Sequence, residues 1–180
     1  HSFSDGTYAK INHLNWKATI NFETKRIKAS AEYFFNSNLS NSIVFDTKGL
    51  NITSVEIENE QVDFKIGSTD ELLGNALIIP IETNDSVLVI KYETSPDAEA
   101  LQWLSSNQTL SKEPFLFTQS QAILARTWIP TQDGPGIRFT YNAEVTVPKG
   151  LMAVMSAANE QSVNEEGIYK FKMIQPIPSY

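Results

Sequence analysis

The alternation of apolar and polar residues between Leu14 and Phe35 constrains this chain more than any other feature. Leu14, Trp16, Ala18, Ile20 and Phe22 fall at every second position. After Glu23-Thr24-Lys25 the period resumes with Ile27, Ala29, Ala31, Tyr33 and Phe35. Successive side chains of an extended backbone point to opposite faces, so each run presents one apolar and one polar face. Two such runs across a short connection predict a β-hairpin buried on one side. Similar runs, separated by turn residues such as Glu58-Asn59-Glu60 and Thr83-Asn84-Asp85, predict strands over 42–47, 52–58, 62–67, 76–80, 86–93, 137–147, 151–158 and 168–174.

Helical periodicity is nearly absent. One short helix is predicted over 120–127, ended by Pro130 a few residues later. Residues 94–114 carry no period, yet they contain Leu101, Trp103 and Leu104, which are expected to pack onto the body of the protein. Many short strands with frequent turns imply an all-β sandwich and not an α/β enzyme built on a parallel sheet.

With 41% hydrophobic residues in 180, the chain can bury a core as one large domain or two small fused ones. The longest nearly continuous apolar stretch, 76–81, is too short to span a bilayer. No basic, apolar leader opens the chain, which leads to the expectation that a signal peptide was removed or never existed. A net charge of −7, with only Arg26, Arg126 and Arg138 as scattered arginines, opposes nucleic-acid binding. The absence of cysteine excludes disulfides and thiolate metal sites, and it is compatible with oxidising or reducing compartments alike.

The residues that could carry chemistry are few. His1 and His13 are the only histidines, and neither spacing nor a helix brings them to a metal-binding arrangement. There is no Gly-x-Ser-x-Gly elbow, and Gly134-Pro135-Gly136 reads as a turn, since proline removes an amide that a phosphate cradle would use. Glu165-Glu166 reads as a solvated loop. No catalytic residue and no metal ligand are therefore expected within the chain. Gln119-Ser120-Gln121-Ala122 differs from the rest. Two glutamines two apart share a face if the backbone is extended there, and each amide offers two donors and an acceptor. Such a pair could hold a peptide's terminal amine, or it could satisfy exposed backbone near a helix start. The residues alone favour the second.

A run of residues changes that balance. Glu93-Thr94-Ser95-Pro96, Ala100-Leu101-Gln102-Trp103-Leu104, Gln108-Thr109, Lys112 and Pro114 closely resemble the zinc aminopeptidases of the leukotriene A4 hydrolase and aminopeptidase N family. The resemblance continues through Leu116-Phe117, Gln119, Gln121-Ala122-Ile123, Arg126, Pro130, Gln132-Asp133 and Pro135. Weaker matches lie at Asp46-Thr47-Lys48, Ala143-Glu144-Val145, Val147-Pro148-Lys149, Tyr169-Lys170-Phe171 and Pro176-Ile177-Pro178 with Tyr180. The resemblance implies that 1–180 form a single N-terminal domain, a saddle of fused β-sandwiches with mostly antiparallel strands. It implies a downstream catalytic domain, absent from this chain, that carries a His-Glu-x-x-His helix and zinc. It also implies that Gln119, Ser120, Gln121 and Ala122 form a substrate-binding strip, with Gln121 contacting the amino end of a peptide. Many relatives have Glu where Gln121 stands. Arg126, Asp133 and Arg138 are expected to form structural ion pairs or caps. The implied partners are the chain's own catalytic domain and a peptide substrate, with no nucleic acid and no membrane span. The competing expectation is a free-standing β-sandwich that serves binding or adhesion.

Overall fold

A computed structural model describes residues 1–38, 40–159 and 162–180. Twelve strands follow in order: β1 (Ala9–Asn21), β2 (Arg26–Ser37), β3 (Ser42–Thr47), β4 (Asn51–Ile57), β5 (Glu60–Gln61), β6 (Lys65–Ile66), β7 (Asn75–Pro80), β8 (Val87–Glu93), β9 (Leu101–Leu104), β10 (Phe115–Thr118), β11 (Phe139–Thr146) and β12 (Ile168–Ile177). They form a seven-stranded sheet ordered β12-β11-β1-β2-β8-β4-β5, a three-stranded sheet β3-β7-β6 and the hairpin β9-β10. Every pairing is antiparallel except β1 with β11. The all-β expectation holds.

The β1–β2 hairpin forms as the period predicts, with Ile20 opposite Ile27 and Trp16 opposite Ala31. The connection turns at Lys25, whose φ is 53°. Near its start β1 changes parity. Ala9 and Ile11 are buried, and then Leu14, Trp16, Ala18 and Ile20. A bulge between Ile11 and His13 absorbs the extra residue, so both sets of side chains reach the same side of the sheet. Ile11, Tyr33, Phe35, Leu88 and Ile90 of the large sheet join Ile43, Phe45, Leu77 and Ile79 of β3 and β7 in one core. The rings of Tyr33 and Phe45 meet at 4.8 Å. Each such aliphatic or aromatic side chain, fully buried, contributes about 1.5–3 kcal/mol.

The opposite face of the large sheet is polar and solvated. Neighbouring strands place His13 beside Thr140, Asn15 beside Glu32 and Asn142, and Lys17 beside Glu144. The His13 ring bonds Thr140 Oγ1 at 2.6 Å and Asn15 Oδ1 at 3.0 Å, and Lys17 pairs with Glu144 at 2.8 Å. His13 thus sits inside β1 as a hydrogen-bonded surface residue.

Four expectations need correction. Residues 120–127 do not form a regular helix: turns lead into a 3-10 segment at Ala125–Thr127. Residues 151–158 form no strand. Their side chains alternate in exposure, but Asn159 takes the place of a ladder partner, bonding Met155 N, Met155 O and Ala157 O, while Tyr169 Oη donates to Leu151 O. Of residues 62–67 only Lys65–Ile66 form strand, as β6 paired with β7, while Val62 N–H donates to Val55 O of β4 just beyond β5. The stretch 94–114 is not without structure: it contains β9, which pairs with β10 from Leu104 opposite Phe115 to Leu101 opposite Thr118. Trp103 packs edge-on against Phe22 at 5.3 Å.

Candidate functional site

The β9–β10 hairpin delivers the chain directly into Gln119-Ser120-Gln121-Ala122. Gln119 N–H donates to Ala100 O at 2.9 Å, which ties the start of the strip to the residue before β9. Gln119 and Gln121 are exposed, and Ser120 between them is buried. The two glutamines therefore stand in solvent on either side of Ser120, with Gln121 opening the turn that follows. Ala122 is exposed beside them, and the Gln121–Ala122 peptide bond is cis.

Ser120 faces inward. Its Oγ accepts the indole N–H of Trp128 at 3.0 Å, and its carbonyl accepts Leu124 N–H at 2.9 Å. Gln119 Oε1 accepts Gln121 N–H at 3.1 Å, so half of one glutamine amide caps the local backbone. The side-chain amide of Gln121 makes no hydrogen bond among the described residues. The strip thus offers outward a free Gln121 amide, the N–H₂ of Gln119 and the methyl of Ala122, while Ser120 serves the interior.

Below the strip lies a cluster that sequence reasoning located only in part. Arg126 is fully buried. Its Nε lies 3.0 Å from Asp133 Oδ2 and its Nη1 3.6 Å from Asp46 Oδ1. Its remaining N–H groups donate to Leu73 O and His1 O, each at 2.9 Å. Asp46 also accepts Phe3 N–H at 2.7 Å, Ser2 Oγ at 2.5 Å and Asp133 N–H at 2.8 Å. Asp133 Oδ1 accepts Ser179 Oγ at 2.6 Å. The chain's first residues, β3, the segment after the strip and the C-terminal residues are thereby fastened at one point. Asp46 lies 87 positions before Asp133, and no local spacing could announce that contact. Arg138 is exposed and forms no ion pair among the described residues.

Beside the strip an apolar groove of about 910 Å³ opens between β10, the inner ends of β1 and β11, and the segment around Met152. Phe115, Phe117, Met152, Val154 and Tyr180 along it are 43–62% exposed. On its floor the Tyr141 hydroxyl has no hydrogen-bond partner among the described residues, and burial pushes its pKa up. Among the described residues, no three of His, Cys, Asp or Glu converge into a set fit for a metal ion. No helix among them is long and apolar enough to cross a membrane.

The family model of the Peptidase M1 N-terminal domain matches residues 10–180. The chain belongs to this family. Leukotriene A-4 hydrolase of Xenopus laevis is 38% identical, over 99% of the chain and 32% of its own length. Leucine aminopeptidase 2 of Saccharomyces cerevisiae is 32% identical, over 94% of the chain and 26% of its own length. A solved structure of yeast LTA4 hydrolase in complex with bestatin superposes with a TM-score of 0.91 at 30% identity, covering 99% of the chain and 28% of that structure. An M1 zinc metallopeptidase from Deinococcus radiodurans bound to Tyr-Ser-Ala shares the fold, with a TM-score of 0.70 at 15% identity. The chain spans about a third or less of the curated relatives it matches. It is an N-terminal domain of the kind these larger peptidases carry.

Proposed function

We propose that this domain works within a full-length zinc aminopeptidase, where it supplies the Gln119–Ala122 strip that receives the amino end of a peptide. Zinc and the groups that activate water belong to the downstream catalytic domain. The chain itself binds no zinc and hydrolyses nothing. The observation that carries this reading is the exposed Gln121 amide at the margin of a groove whose Phe115, Phe117, Met152, Val154 and Tyr180 stand in solvent. Exposed apolar side chains gathered along one groove are a mark of a surface that another body covers. A free-standing binding or adhesion module would need a finished surface there, and these side chains weigh against it.

Gln121 carbonyl oxygen can accept from a peptide ammonium, and the amide N–H groups of either glutamine can donate to a peptide carbonyl. A neutral acceptor holds an ammonium less strongly than a carboxylate does, by roughly twofold in bond strength. The domain's share in the reaction is then orientation of the substrate before attack.

The test compares Gln121→Ala with its parent in the full-length enzyme, using unblocked peptides. The expected result is a KM raised about three- to tenfold with kcat little changed, as loss of one hydrogen bond made equally in ground and transition states predicts. An unchanged KM would remove the strip from substrate binding. Chelator-sensitive aminopeptidase activity in the pure 180-residue chain would refute its non-catalytic role.

A further inference from the structure

The middle of the strip is fixed from beneath by a relay of aromatic side chains that reaches the centre of the large sheet. Trp128 Nε1 donates to Ser120 Oγ at 3.0 Å. The Trp128 ring stands edge-on to Trp16 of β1, with centroids 5.3 Å apart and planes at 77°. Trp16 Nε1 donates to Tyr92 Oη of β8 at 2.9 Å. Trp16 and Tyr92 are buried, Ser120 is 7% exposed, and Trp128 is half-buried. Each indole N–H has a single donor to place, so the direction of each ring is set by its acceptor.

The consequence for the strip is geometric. Gln121 opens a turn, and Ser120 is the buried residue of the strip, while the residues on either side of it stand in solvent. Drawing the Ser120 hydroxyl inward onto Trp128 fixes the middle of the strip and leaves Gln119 and Gln121 exposed on either side of it. Two other ties, Gln119 N–H to Ala100 O and Leu124 N–H to Ser120 O, hold the backbone of the strip, and Gln121 N–H to Gln119 Oε1 orients the Gln119 side chain, but none of them fixes the Ser120 side chain.

We infer that Trp128, acting through Ser120, is a positioning residue for peptide binding: it presents the Gln119 and Gln121 amides to the substrate's amino end without touching the substrate. Ser120 then belongs to this support and not to the binding surface. The inference rests on the proposed role of the strip.

The experiment is steady-state kinetics of the full-length enzyme on an unblocked tripeptide, with Trp128→Phe, Ser120→Ala, the double variant and Gln121→Ala side by side. Phenylalanine retains an aromatic ring but lacks the N–H, and Ser120→Ala removes only the acceptor, so one variant remains informative if the other folds poorly. Thermal melts identify any variant that does. The expected result is a KM raised about three- to tenfold in each single variant, with kcat within about twofold. The double variant should be no worse than the more affected single one, because both remove the same bond. Ser120→Thr, which keeps the hydroxyl, should restore KM toward the parent. A merely structural role would lower the melting temperature and leave KM alone. If Gln121→Ala raises KM while Trp128→Phe and Ser120→Ala leave it unchanged, the positioning role is overturned and the strip's role stands. If Gln121→Ala also leaves KM unchanged, the strip's role and this inference fall together.

Discussion

Replacing Arg126 by methionine tests whether the buried ion cluster holds the domain together. The guanidinium is fully buried, faces two carboxylates at 3.0 and 3.6 Å, and donates to two backbone carbonyls at 2.9 Å. Methionine has comparable length but no donor, so Asp133 and Asp46 would remain buried without their cation. Breaking a buried pair from one side costs about 3–5 kcal/mol, and with two carboxylates and two carbonyls abandoned the upper end applies. A domain of this size loses roughly 2–4 °C in melting temperature per kcal/mol, so the expected drop is about 10–20 °C. That is a large part of the 5–15 kcal/mol that typically holds a domain folded. The assay is thermal unfolding followed by circular dichroism, with urea titration as a check. A companion carrying Arg126→Met with Asp46→Asn and Asp133→Asn removes the stranded charges but keeps only one acceptor oxygen at position 46, for either Phe3 N–H or Asp133 N–H, which bond separate oxygens of Asp46 in the parent. It should recover about half of the loss, because the penalty lies mainly in the uncompensated charge. The reasoning is refuted if Arg126→Met melts within about 3 °C of the parent, or if the neutral triple variant melts no higher than the single one.

Gly74→Ala should destabilise by more than the roughly 1–2 kcal/mol expected of a left-handed conformation alone, measurable by urea unfolding. Its φ is +80°, and an added Cβ would lie 2.2 Å from Thr47 O. Glu58 accepts Ser86 N–H and Val87 N–H, and these bonds hold its carboxyl below the ordinary value of 4.5. A depressed folded pKa means that its support is present above pH 4.5 and is lost as pH falls through the lower folded value. Amide protection at Ser86 and Val87, taken relative to the intrinsic exchange rate at each pH, should therefore fall as pH drops through that lower folded value, and Glu58→Gln should flatten that dependence. Gln121→Glu should lower KM for unblocked peptides by about threefold or more and leave amino-blocked peptides unimproved, a contrast that direct competition assays would reveal.

The hairpin of β1 and β2 was legible because one face is buried and the other carries Lys17, Lys28 and Glu32, so the period of two survives in the letters. The hairpin of β9 and β10 was not. Its strands are four residues long and half exposed, and Phe115 and Phe117 face outward where an alternation would have placed polar residues. Residues 151–158 misled in the opposite sense: Leu151, Ala153, Met155 and Ala157 alternate inward, but the hydrogen bonds come from Asn159 and Tyr169 side chains. Periodicity reports which side chains face in, and it does not report what the backbone pairs with. At the site, the spacing of Gln119 and Gln121 singled out the pair, but Gln121 lies in a turn, so its exposure is not the alternation of a strand. The inward turn of Ser120 onto Trp128, eight residues on, and the union of Asp46 with Arg126 depend on tertiary contacts that no local window contains.

The parallel register of β1 with β11 has a temporal meaning. His13 meets Thr140, 127 positions later, so one side of β1 stays unpaired until nearly the whole domain has left the ribosome. At roughly 5–20 residues per second that interval is about 6–25 s. During it the nascent chain carries a thirteen-residue strand, paired with β2 on one side and bare on the other. Such an edge readily recruits a foreign strand. Synthesis speed past codon 21, and whatever shelters the nascent chain meanwhile, therefore bear on the yield of this domain as much as its final stability does.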